Sequence, residues 1–424
     1  MSNSEPSDIA AAPAATLATP PLPVLRIPMT DRDGALFAYE IVFHRSRDDE
    51  QTLLQQVLST ITDGSLTRLA RGNRAFLNLP IELLSENADV LLHQPRLGLM
   101  LHASLATDPD MMKRLQQMAD RGCQLMLDAG DLDIHGSVAM ESLLKMVQYV
   151  RLDATITEPE ALEARIVELS ARGIWVIAGR VDDHETCRRC MSLPVDAVQG
   201  RFLLIPEIVD VPVLTANRLN MLRLMGVLHE ANPGPVELAN IIRDDAVLSY
   251  KLLSCVNSAY FALPRQLKTV QQAAIFFGVT RMRNWIDTMS LCTMDDRPPE
   301  LLRTALIRAH MCEKMALGMP GGKHEMAFTV GLFSLLDALM GASMEYLLDH
   351  LRLMPEISEA LIENSGPFAP ILAQVIAWES GTMTVQQAPK QRLERMAQIY
   401  LEATGWADQV YSGVSETPRE VALA

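Results

Sequence analysis

The feature that most constrains this chain is a change of texture at Pro206. Before it, residues 24–206 alternate short apolar runs with amphipathic stretches; after it, apolar residues recur at helical spacing. The strand candidates are FLNL (76–79), LGLML (97–101), QLMLD (124–128), YVRLD (149–153), IWVIAG (174–179) and AVQGR (197–201), with helix-like segments such as Pro109–Arg121 and Glu158–Arg172 between them. Strands alternating with helical patterns predict βα units and a parallel sheet. The runs are apolar throughout, as in strands covered on both faces. A span of 183 residues is short beside the ~250 typical of an eightfold βα barrel, so either a trimmed barrel or an open sheet is expected.

Past Pro206, the windows 214–230, 235–260, 269–292, 299–318, 325–341 and 343–352 carry the helical pattern, as in the stripe Leu219, Leu222, Met225 and Leu228. Turn formers separate them: Asn-Pro-Gly-Pro (232–235), Leu-Pro-Arg (263–265) and Pro-Gly-Gly (320–322). The expected organisation is a disordered leader over 1–23, an α/β domain over 24–208, an all-helical domain over 209–410 and a tail over 411–424. The leader has five prolines and no Lys or Arg, so it lacks the charged start and apolar stretch of a secretory signal. Ala327–Met344 approaches membrane-span length, but Asp337 lies inside it; a central Asp costs ~2.5–3.5 kcal/mol on insertion. A buried helix of a chain without membrane association is expected there. The six cysteines are scattered through a long chain, which predicts reduced thiols in a cytoplasm.

The net charge is −15, with 19 basic and 29 acidic residues before Asp210 and 18 and 23 from there on. Neither half offers the basic face that a nucleic-acid backbone requires, so DNA is not an expected partner. Residues 246–286 are the exception, with Lys251, Arg265, Lys268, Arg281 and Arg283 and no acid. They could seat an acidic partner or simply form a solvated helix face. A helix-turn-helix over Pro235–Ala262 would have too apolar a recognition helix to reach base edges. His184, Cys187 and Cys190 have zinc-like spacing, but they need not converge on one helix and Arg188 and Arg189 oppose a cation, so no metal is expected.

In the first half, IPMTDRDGALFAYEIVFHR (27–45) resembles the opening strand pair of EAL domains, the cyclic di-GMP phosphodiesterase family, with Glu40 at the Glu of the name motif. FLNL resembles that family's second-strand Asn motif, QLMLDAG (124–130) its Asp-Asp-Phe-Gly strand end and YVRLD its Lys-Ile-Asp strand. VIAGRVD (176–182) resembles the Glu-Gly-Val-Glu strand and VQGRFLLIP (198–206) the closing Gln-Gly strand. The resemblance implies a degenerate TIM-like βα barrel. Hydrolysis in that family needs carboxylates that hold divalent cations and a lysine near the attacking water. Glu40, Asn78, Asp128, Asp153 and Gln199 keep family positions, whereas the other ligands fall on Met100, Ala129 and Gly179 and the lysine on Arg151. Methionine offers no hard oxygen to Mg²⁺, and arginine stays protonated. The resemblance therefore implies no enzymatic activity, with the surviving polar residues pairing with strand-end groups or basic neighbours.

In the second half, DDAVLSYKLLSCVNSAYFALPRQLKTVQQAAIFFGVTRMRNWI (244–286) resembles HDOD domains, all-helical relatives of HD-type phosphohydrolases that lack the metal site. The adjacent His-Asp of catalytic relatives falls on Ser334 and Leu335. A degenerate EAL barrel joined to an HDOD domain resembles a bacterial signalling architecture. It implies an inactive scaffold in a cyclic di-GMP-linked pathway, without cofactor, binding other signalling proteins through Lys251, Arg265, Lys268, Arg281 and Arg283, with self-association a further option. The alternatives are a cyclic di-GMP receptor acting through Glu40, Asn78, Asp128 and Gln199, and a residual phosphodiesterase.

Overall fold

The computed structural model describes residues 24–43, 57, 64–79, 96–130, 138–155, 159–207, 214–230, 233–242, 246–257, 263, 265–294, 296–320, 323–383 and 390–415. The leader expected over 1–23 and the join expected at 208–209 lie outside them.

Eight strands close into a barrel in chain order. They are β1 (Val24–Asp31), β2 (Leu36–Phe43), β3 (Ala75–Asn78), β4 (Leu97–His102), β5 (Gln124–Gly130), β6 (Tyr149–Asp153), β7 (Trp175–Gly179) and β8 (Ala197–Val198). β2 to β8 run parallel, and β1 is antiparallel to both of its neighbours, β2 and β8. The sheet is therefore closed, because the opening hairpin supplies the two strands that six βα-type candidates lack. Asp31 Oδ1 shapes that hairpin by accepting the backbone N–H of Asp33 at 3.0 Å and of Ala35 at 2.9 Å, and Gly34 takes the left-handed φ of +76° between them.

The two-residue period of a strand sorts the barrel interior into layers. Met29, Ala38, Phe76, Met126, Tyr149, Ile177 and Ala197 form an apolar layer inside the ring. Gly98 leaves room for Phe76, since a Cβ at 98 would lie 2.9 Å from its ring and 2.6 Å from the Gln124 carbonyl oxygen. Two residues further along six of these strands come Glu40, Asn78, Asp128, Arg151, Gly179 and Gln199, and two beyond Gly98 comes Met100. The candidate residues thus stack as a polar layer on an apolar floor. Outside the ring lie α1 (Ser65–Leu69), α2 (Pro109–Asp120), α3 (Val138–Leu144), α4 (Pro159–Ala171) and α5 (His184–Ser192).

The rest is helical: α6 (Ala216–Glu230), α7 (Pro235–Ile241), α8 (Ala246–Val256), α9 (Val270–Phe277), α10 (Val279–Leu291), α11 (Pro299–Met315), α12 (Lys323–Phe333), α13 (Leu336–Met340), α14 (Met344–Leu351), α15 (Pro355–Ser358), α16 (Ala369–Glu379) and α17 (Lys390–Ser415). α11 is the central rod and packs against α12, α16 and α17. Gly331 lets α12 approach it, because a Cβ there would sit 2.5 Å from the Arg308 carbonyl oxygen. The apolar stretch Ala327–Met344 is two helices instead of one: α12 stops at Phe333 and α13 begins at Leu336. No described helix is long and apolar enough to cross a membrane. α17 continues to Ser415 and buries Val414, so residues 411–415 belong to a packed helix where a tail is expected to have begun.

Candidate functional site

Arg151 occupies the centre of the polar layer. Its Nη1 donates to Glu40 Oε2 at 2.6 Å and to Gln199 Oε1 at 2.8 Å. Its Nη2 and Nε donate to Asp128 Oδ2 and Oδ1 at 2.7 and 3.2 Å. Glu40 also accepts from Gln199 Nε2 at 2.7 Å and from Asn78 Nδ2 at 2.9 Å. Four of the five residues singled out in the barrel therefore meet around one guanidinium. Burial by itself would lower the Arg151 pKa, but Glu40 and Asp128 beside it raise it above the ordinary arginine value, so the charge is permanent. The fifth, Asp153, stands apart: it accepts from Thr155 N and Oγ1 at 2.9 and 2.7 Å and from Arg180 Nη1 at 3.0 Å.

This arrangement does not fit a divalent cation pair. The two carboxylates that a cation would need are spanned by a fixed positive group, and the neighbouring positions Met100, Ala129 and Gly179 offer no side-chain oxygen. Gly179 is tied to Arg151 sterically, since a Cβ at 179 would lie 3.0 Å from both Arg151 Cγ and Cδ.

The mouth of the barrel opens into a cavity of about 990 Å³ whose far wall is helical. Glu40, Asp128, Arg151, Asp153 and Gln199 line one side; Glu300, Arg303, Ile307 and Arg308 of α11, with Ile376 and Glu379 of α16, line the other. A buried charge cluster fixes this contact. Asp408 on α17 receives Arg26 of β1 in two bonds, at 2.9 and 3.2 Å, and also pairs with Arg71 at 3.1 Å and Arg303 at 3.3 Å. Glu300 takes the Tyr39 hydroxyl at 2.9 Å, Arg303 at 3.3 Å and Arg71 at 3.5 Å.

The helical wall has its own occupied centre. Arg308 Nε and Nη2 clasp Glu379 at 2.7 and 2.8 Å, while Nη1 donates to the Ser334 hydroxyl at 3.1 Å. Ser334 is one of the two residues at the His-Asp position, so an arginine–carboxylate fork stands against that position too. His184, on α5, bonds the Ile205 carbonyl at 2.7 Å.

Residues 217–358 match the HDOD domain family. The helical half carries an HDOD domain. Two relatives align along most of the chain. Protein YuxH of Bacillus subtilis is 22% identical, over 90% of this chain and 97% of its own. The cyclic di-GMP phosphodiesterase CdgJ of Vibrio cholerae is 26% identical, over 89% of this chain and 88% of its own. Among solved structures, the chain is similar to the EAL-like domain protein YdiV, with 20% identity and a TM-score of 0.34 over 42% of this chain and 90% of that one. It is similar also to the FimX EAL domain of Xanthomonas citri in complex with c-diGMP, with 17% identity and a TM-score of 0.33 over 43% and 87%. The architecture is a closed βα barrel followed by an HDOD domain.

Within the HDOD domain the five basic residues of 246–286 have separate fates. Arg265 and Lys268 are exposed and Lys251 is half-buried. Arg281 is held between Glu313 at 3.8 Å and Glu325 at 3.6 Å. Arg283 is only 7% exposed and leaves the expected partner surface, because it faces inward on α10, whose apolar stripe it interrupts. The sequence reading missed the far wall of the cavity. Its signal was present in PELLRTALIRAHM (299–311), where Glu300, Arg303 and Arg308 punctuate an apolar helix and are all buried; buried charges need partners, and besides the Glu300–Arg303 pair within the helix those come from distant segments.

Proposed function

We propose that this chain is a non-hydrolytic signalling module of a cyclic di-GMP-linked pathway, in which the EAL-like barrel supports the HDOD domain and the output is protein binding. The observation that carries this reading is the Arg151 guanidinium bonded to Glu40 and Asp128. An arginine that is permanently charged neither accepts a proton from water nor leaves those carboxylates free for a cation. The likeness to CdgJ supports the pathway, and its name as a phosphodiesterase sets the rival outcome. The test is incubation of the full chain with cyclic di-GMP and Mg²⁺ or Mn²⁺, followed by chromatography. Unchanged cyclic di-GMP is expected; linear dinucleotide overturns the proposal.

A second reading, a receptor that binds cyclic di-GMP without cleaving it, is favoured by the cavity itself. Its about 990 Å³, with Arg180 and Arg201 beside Leu203, Leu204 and Ile205, falls in the range of ligand sites. Calorimetric titration with the dinucleotide separates the two: micromolar binding with no product supports the receptor.

A further inference from the structure

The helix α9 has no charged residue and turns large apolar side chains to solvent. Val270, Ala273 and Ala274 are buried, and Phe277 stacks toward Trp285 with ring centroids 6.5 Å apart. Ile275 and Phe276, next to each other in sequence, are left 66% and 57% exposed. The two form a contiguous apolar pair at the surface, and a contiguous apolar patch rimmed by polar residues is the form an interaction site takes.

Residues 265–269, which lead into α9, carry Arg265 and Lys268 and are tied to the ends of α8 and α9. Asn257, just past the end of α8, donates from Nδ2 to the Leu267 carbonyl at 2.8 Å and accepts the Leu267 N–H on Oδ1 at 2.7 Å. The Lys268 N–H bonds Gln272 Oε1 at 2.9 Å, and Thr269 caps α9 by accepting the Gln272 N–H at 3.1 Å. Arg265 and Lys268 stand exposed on this strap, Lys251 lies on the neighbouring α8, and none of the three makes an ion pair with a described residue. Residues 246–286 contain no acid in a chain of net charge −15.

We propose that α9 and the strap before it form a docking face for an acidic amphipathic helix of another protein, whose apolar face covers Ile275 and Phe276 and whose carboxylates meet Arg265, Lys268 and Lys251. This rests on the reading of the chain as a binding module, and it names the chemistry of the partner. Charge complementarity selects this occupant. A second copy of the chain brings its own −15 and is repelled at long range, whereas a local acidic segment is steered in.

The test uses the full-length protein and a fluorescein-labelled synthetic helix with leucine on one face and glutamate on the other, followed by anisotropy. The same peptide with lysine in place of glutamate is the control. Binding of the glutamate peptide should weaken with added salt. It should fall at least ~10-fold in I275S/F276S and in R265E/K268E, while R281Q, whose side chain is already neutralised, binds as the parent does. All substituted positions are exposed or half-exposed, and unchanged thermal transitions verify the fold. Equal affinity of the parent and both double variants, no binding at all, or equally tight binding of the lysine peptide overturns the proposal. Self-association that disappears in I275S/F276S overturns it in favour of a second copy. Hydrolysis of cyclic di-GMP by the same protein would sink the non-hydrolytic reading and leave the peptide result to stand or fall separately.

Discussion

Gly179 and Arg151 are packed as a pair: a Cβ on residue 179 would press to 3.0 Å from Arg151 Cγ and Cδ, and the bare backbone there gives the side chain room to carry its guanidinium across Glu40 and Asp128. Any larger side chain at 179 obliges the Arg151 side chain to shift from this position. The small residue at 179 and the guanidinium across the two carboxylates are thus coupled, and the charge held at this layer is a fixed one.

The first prediction concerns Arg151 itself. Arg151→Met leaves Glu40, which is buried, facing Asp128 without a counter-charge. Breaking one side of such a pair costs about 3 kcal/mol. Chemical denaturation should show a loss of this order. Arg151→Lys should recover part of it and still yield no linear product from cyclic di-GMP, because Met100, Ala129 and Gly179 remain without oxygen ligands.

The second concerns the contact between the halves. Asp408 receives Arg26, Arg71 and Arg303, so Asp408→Asn leaves Arg71 and Arg303 sharing Glu300 and takes from Arg26 its carboxylate partner among the described residues. A loss of about 3 kcal/mol is expected, together with faster cutting of the chain in limited proteolysis. An Asp408→Asn chain that is cut no faster than the parent would show that the cluster does not hold the halves together.

The third is a packing test. Gly331→Ala places a methyl 2.5 Å from the Arg308 carbonyl oxygen and 2.7 Å from Ala309 backbone atoms. Backbone cannot rotate away as a side chain can, so α12 must move off α11. Overpacking of this kind costs about 1–3 kcal/mol, readable as a lower Tm, whereas Gly405→Ala on α17, where no atom lies within 4 Å of the added methyl, should leave Tm unchanged or raised.

The fourth is a pH dependence. His310, 3.6 Å away, and Lys314, 2.5 Å away, hold the Glu402 carboxyl down at about 2. A folded-state pKa below the unfolded value of 4.5 stabilises fully above that value, and the contribution is lost as pH falls toward 2. Glu402 is close to half exposed, so the effect is screened and partial. Between pH 4.5 and 2, Glu402→Gln should therefore lose stability less steeply than the parent in urea titrations; parallel curves would remove Glu402 from the acid transition.

A fifth prediction concerns the thiols. Burial pushes Cys312 up to about 12 and Cys123 and Cys187 up to about 11. In a Cys255→Ser background, Ellman's reagent at pH 8 should react with the native protein only slowly and with the urea-unfolded protein at once, since the thiolate is the reactive form.

Much of this protein is legible along the chain. Strands such as QLMLD and YVRLD, and the stripe of Leu219, Leu222, Met225 and Leu228, announce themselves because apolar periodicity is a local property. That Met100, Ala129 and Gly179 offer no side-chain oxygen is read directly, because a side chain's donor chemistry needs no fold to be known. What only the tertiary structure decided is where the charges go. Sequence placed Arg151 at a lysine position, but its bonds to Glu40, 111 residues away, and to Asp128 exist only once the barrel closes. Arg283 reads as a surface cation and is buried; Arg303 and Arg308, in a window whose spacing shows only that it is helical, become the far wall of a cavity. Periodicity reports which face of an element is apolar, whereas the partner of a buried charge is set by long-range packing, and no local pattern carries that.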